Sequence, residues 1–177
     1  KAERDAAYLA AMKATVDKYP DDETRLFYGQ MLLSTMPEGV VSNEIQPVVA
    51  GILEEIYSRK PNHPGVLHYL THVYDDPLNA EKGLVAARAY AKSAAAVPHA
   101  HHMPSHIFFA LGMWDDAIEA NIASLATARS QGQGGYHALE WLAYAYLQQG
   151  MRDDAAKLVQ SVSDDVARKP TQGNRTN

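Results

Sequence analysis

The chain has 177 residues, 46% of them hydrophobic and 21% charged, with a formal net charge of −5. That length can bury one core or build about five short helical repeats, and the composition is that of a globular chain. An acidic balance without a Lys/Arg cluster argues against a nucleic-acid partner. A mean hydropathy of −0.32 with short apolar runs argues against membrane insertion, and the lack of cysteine excludes disulfides, thiolate metal sites and cysteine nucleophiles.

Apolar residues recur at helical spacing in Ala6–Lys18, Leu84–Ala96, Ala117–Arg129 and His137–Gln149. Proline and glycine punctuate the chain at Tyr19-Pro20, Met36-Pro37-Glu38-Gly39, Lys60-Pro61, Val97-Pro98, Gly132–Gly135 and Gly150. No stretch alternates with period two, so the chain reads as all-α. One turn occurs twice. Gly112-Met113-Trp114-Asp115-Asp116-Ala117 is followed 38 residues on by Gly150-Met151-Arg152-Asp153-Asp154-Ala155. The glycine permits the turn, the aspartates suit the first turn of the next helix, and the alanine is small where two helices approach.

These turns resemble those of the tetratricopeptide repeat, a helix–turn–helix unit of about 34 residues. The resemblance implies an all-α, right-handed superhelix, an α-α solenoid, of about four repeats over residues 1–168, followed by a polar tail, 169–177. In chain order, Lys1–Tyr19 stands as the second helix of a repeat that lacks its first. A looser repeat starts at Asp22, with Gly29 as its small residue, an inserted loop Ser34–Asn43 and a helix to Ser58. Three clearer repeats start at Pro64, Pro98 and Tyr136. Their small residues are Thr71, Ser105 and Ala143, and their aromatic residues are Tyr74, Phe108 and Tyr146. An array that opens on a second helix has an uncapped edge. The expectation is a longer parent protein, or self-association through exposed repeat ends.

Two segments are more particular: His68-Tyr69-Leu70-Thr71-His72-Val73-Tyr74-Asp75 and His101-His102-Met103-Pro104-Ser105-His106-Ile107-Phe108. They resemble a group of long bacterial repeat proteins that includes exported members. That resemblance implies a soluble protein, exported or periplasmic, and carries no biochemical activity with it. The sequence itself shows no signal-peptide pattern.

All eight histidines lie between His63 and His137. His68 and His72 are spaced i, i+4, as are His102 and His106, which on a helix places each pair on one face. The pairs are 34 residues apart, one repeat period. In tetratricopeptide arrays the first helices line a concave groove, and the resemblance places His68, His72, His99, His102, His106, His137, Glu140 and Tyr144 on its wall, with Tyr69, Asp75, Asp76 and Met103 beside them. Converging imidazoles are ligands for copper, zinc, iron or nickel ions. The expected metal-ligating set is therefore His68, His72, His102, His106, His137 and Glu140. Glu140 or Asp75 would serve as a further ligand or as the partner that orients an imidazole. A sulfur contributed by Met103 would favour copper, and packing is the other use for that side chain.

Other readings stand beside this one. The same wall could take an extended peptide or a partner helix with no metal at all, and histidines near helix starts also hydrogen-bond locally. Pro104 bears on the geometry: if a helix starts there, His102 precedes it and does not share a face with His106. Catalysis ranks last, because His68-Tyr69-Leu70-Thr71-His72 lacks the glutamate of a zinc-protease helix. Ser105 falls where the repeat needs a small residue. Capping and helix dipoles account for Asp21/Asp22, Asp115/Asp116, Asp153/Asp154 and Asp164/Asp165 at helix starts or turns. Trp141 has two places open to it, the core or the groove wall.

Overall fold

Residues 2–35 and 42–168 are described by the computed structural model, and every regular element among them is a helix. In chain order these are α1 (Ala2–Lys18), α2 (Asp22–Thr35), α3 (Ile45–Arg59), α4 (Pro64–Val73) and α5 (Ala80–Ser93). They continue as α6 (Pro98–His102), α7 (Pro104–Ala110), α8 (Trp114–Ser130), α9 (Tyr136–Gln148) and α10 (Arg152–Arg168). Positions 36–41 of the expected loop Ser34–Asn43, Lys1 and the whole tail 169–177 lie outside the described residues.

The helices form successive antiparallel pairs, each packed chiefly on its neighbours in the chain: α2 with α3, α4 with α5, α6 and α7 with α8, and α9 with α10. This nearest-neighbour packing is the defining property of a helical solenoid. The repeated turns work through backbone sign. Gly112 and Gly150 have φ of +69° and +72°, a region that costs an L side chain about 1–2 kcal/mol. Asp115 and Asp116 occupy the first turn of α8, and Asp153 and Asp154 that of α10, where the helix dipole favours a carboxylate. Asp164 and Asp165 do not fit this scheme. They lie in the last turns of α10, and Asp165 pairs with Arg168.

Small residues sit where the pairs close. Thr71 and Ser105 are fully buried, and a Cβ added to Gly83 would lie 2.8 Å from Ile107 Cδ1. The main core runs from α2 to α7 through Leu53, Ile56, Leu67 and Ile107. A smaller one joins Leu125, Leu139 and Leu142 to Leu158 and Val162 of α10.

Pro104 does start α7, yet it does not turn the chain away. Met103 stays helical at φ −54°, ψ −37°, and its N–H donates to the His99 carbonyl at 2.9 Å. The proline ring occupies the first position of the new segment, where its missing N–H costs least. Helices α6 and α7 therefore act as one interrupted first helix, and His102 and His106 face the same side.

Candidate metal centre

Three first helices contribute to one face. His68 and His72 come from α4, His99 and His102 from α6, His106 from α7 and His137 from α9. Six imidazoles meet there in two groups of three, His68/His72/His99 and His102/His106/His137. Within each group one nitrogen per ring lies within 4.8 Å of the others.

In the first group the Nε2 atoms converge. His68 Nε2 lies 3.0 Å from His99 Nε2 and 3.1 Å from His72 Nε2. Tyr90 stacks on His68 at a ring separation of 5.1 Å, and Tyr69 packs on its other flank at 4.9 Å. His68 is half-buried, whereas His72 and His99 are open to solvent. Burial, and then the neighbouring imidazoles, hold His68 down at about 3, so the ring is neutral at pH 7. Burial lowers His72 and His99 in the same direction, with water screening the effect at these more open rings.

The second group is more enclosed. His102 is 1% exposed, and its Nε2 lies 3.1 Å from His106 Nε2. Its Nδ1 lies 2.7 Å from Asn121 Oδ1. His106 Nδ1 is 2.8 Å from Asp75 Oδ2, which connects the end of α4 to α7. His137 packs edge-on against His102 at 4.4 Å, and Trp141 covers His106 at 4.3 Å. Burial holds His102 at about 3, against a smaller upward pull from Asn121. The two groups adjoin, with the His72 and His106 rings 6.4 Å apart.

Several expected site residues lie elsewhere. Met103 is 1% exposed and belongs to the main core, so its sulfur is committed to packing and gives no copper preference. Glu140 is exposed and belongs to neither group among the described residues. It follows His137 by three residues, whereas Trp141 follows by four and takes the place above the rings. Tyr144 packs on Phe109 at 5.6 Å and on Trp114 at 6.2 Å, beyond Trp141 from the histidines. Asp76 is buried in the turn between α4 and α5, where its carboxylate accepts from the Leu78 and Asn79 N–H groups and from Gln46. His63 accepts from the Val66 N–H at the start of α4, and His101 hydrogen-bonds the Ala95 carbonyl, so these two stand apart from the groups. Of the two places open to Trp141, it takes the groove wall, against the rings of His102, His106 and His137; Asn121 enters the site without having been expected in it. Asn121 lies on α8, 19 positions from its partner, where no local spacing marks it.

The helix pairs, their nearest-neighbour packing and the small residues between them define an all-α solenoid of the tetratricopeptide type. Among solved structures, the chain matches MamA, a tetratricopeptide-repeat protein. A MamA chain of Desulfovibrio magneticus RS-1, running from residue 41 to its end, aligns with a TM-score of 0.74 and 13% identity, covering 96% of this chain and 88% of that one. Another MamA crystal structure gives 0.75 at 16% identity, with 99% and 90% covered. A third, MamA MSR-1, gives 0.69 at 18% identity, with 96% and 91% covered. At these identities the likeness establishes the fold. No family model and no curated protein matches the chain.

Proposed function

We propose that the chain is a binding scaffold whose first helices form a histidine-lined groove that holds transition-metal ions. The observation that carries this reading is the convergence of six imidazoles into two groups of three, each with its ring nitrogens within 4.8 Å. The donor chemistry fits copper, zinc, iron or nickel, for which neutral imidazole is a common ligand. Burial that keeps His68 and His102 neutral at pH 7 leaves their nitrogen lone pairs available to a cation. Three protein nitrogens per ion leave a coordination position for water or for a side chain of a bound partner.

A second reading is a peptide or partner-helix groove without metal. What favours it is the aromatic shelf beside the histidines, where Phe109 packs on Trp114, Trp141 and Tyr144, the last half exposed. Elemental analysis of untagged protein, followed by Zn²⁺ and Cu²⁺ titration, separates the two. Stoichiometric metal that is lost on His72→Ala/His106→Ala supports the metal reading. Absence of metal, with stability unchanged on titration, leaves the peptide groove.

A further inference from the structure

Donor and acceptor directions in the second histidine group follow atom by atom from its surroundings. Asn121 is fully buried, and its Nδ2 donates to the Ala117 carbonyl at 2.9 Å. Turning the amide over would set its oxygen against that carbonyl, so the atom facing His102 is Oδ1. An amide oxygen only accepts, and the hydrogen of this 2.7 Å contact therefore sits on His102 Nδ1. On the neighbouring ring, the Asp75 carboxylate likewise accepts, which places a hydrogen on His106 Nδ1. A neutral imidazole with its hydrogen on Nδ1 carries a lone pair on Nε2. The two Nε2 atoms lie 3.1 Å apart, so two acceptors face one another with no hydrogen of their own to share.

In the first group the nitrogens in contact are the Nε2 atoms of His68, His72 and His99. Among the described residues no side chain fixes their Nδ1 atoms. There an Nε2–H of one ring can donate to the lone pair of the next, and the group satisfies itself. The facing acceptors of His102 and His106 instead call for a cation.

We propose that Asn121 and Asp75 are positioning residues that hold His102 and His106 as Nδ1–H tautomers, making His102/His106/His137 the tighter of the two cation sites. The ranking of the sites rests on the metal reading above, while the tautomers are a property of the metal-free chain. Outer partners of this kind commonly contribute about 10–100-fold in metal affinity. Asp75 also brings its negative charge to the edge of the site, next to His72 as well as His106.

The test has two arms. In metal-free, ¹⁵N-labelled protein at pH 7.5, long-range ¹H–¹⁵N correlation spectra read each ring's tautomer. Nδ1–H forms for His102 and His106 are expected; an Nε2–H form of either ring, or an imidazolium at His106, overturns the assignment. In the second arm, Zn²⁺ is titrated against a chromogenic chelator. Asp75→Ala is expected to weaken the first equivalent about 10–100-fold and the second far less, with Asp75→Asn recovering part of the loss because its amide oxygen still accepts. Asn121→Leu should weaken the same equivalent, and Asp75, at 33% side-chain exposure, keeps the test open if that buried substitution fails to fold. An unchanged first equivalent in Asp75→Ala overturns the positioning role. Nδ1–H tautomers in a chain that binds no Zn²⁺ overturn the metal reading and the ranking, and leave the tautomer assignment standing.

Discussion

The two histidine groups start from the same local pattern, an i, i+4 pair one repeat apart, and end as different chemical environments. His68/His72/His99 lies open, flanked by Tyr69 and Tyr90, with ring nitrogens that can hydrogen-bond one another. His102/His106/His137 is covered by Trp141, backed by Asn121 and tied to Asp75. Repeat register delivers the rings to one face; the residues around them decide which nitrogen carries the hydrogen and how much water reaches it. A repeat protein can thus vary a site by changing the second helix behind a histidine, with the histidine itself unmoved.

The largest expected difference is in stability. Replacing His102 with alanine removes a fully buried ring and leaves Asn121 Oδ1 without its donor, which should cost about 2–4 kcal/mol in urea unfolding. His99→Ala, at an open position, should stay within ~0.5 kcal/mol. Equal losses would erase the contrast between the groups.

Acid is the next lever. In metal-free protein His68 and His102 remain neutral down to about pH 3, whereas the unfolded chain takes up protons near 6.5. The unfolded state then binds more protons throughout that window, so stability must fall as pH falls from 6.5 toward 3. The slope is up to about 1.4 kcal/mol per pH unit for each such imidazole. Denaturant midpoints across that range check this, and His102→Gln should flatten the curve by roughly one imidazole's share. A flat profile in the wild type would contradict the burial assigned to these rings.

Smaller effects sharpen the comparison further. Gly150→Ala places a side chain at φ +72° in the turn after the helix that carries His137, at a cost of about 1 kcal/mol. It should loosen the second group before the first, as read by amide exchange along α9 and α4. Glu140→Gln should leave metal affinity within about twofold, since among the described residues Glu140 is exposed and belongs to neither group.

How much of this was legible in the sequence depended on the length scale of the signal. The all-α class, the repeated turns and the small residues at helix contacts are local or periodic features, and they map directly onto α2 to α10. The side on which a ring emerges was harder. Pro104 suggested a break between His102 and His106, but Met103 keeps helical angles and carries the face across it. Met103 itself belongs to the main core, although it follows His102 directly in sequence. Glu140 was placed by counting repeat positions. A residue three along a helix lies about 60° short of a full turn and one four along about 40° past it, and here Trp141 takes the nearer place over the rings. Asn121 left no local signal, because its partner His102 lies across a helix pair.

The central claim is that both imidazole groups hold metal. It is tested most directly by counting metal per chain in untagged protein titrated with Zn²⁺, beside His72→Ala/His106→Ala. About two ions per folded wild-type chain are expected, the first more tightly held, with loss of both from the double variant at intact helical content. A folded wild-type chain that takes up no metal would contradict it.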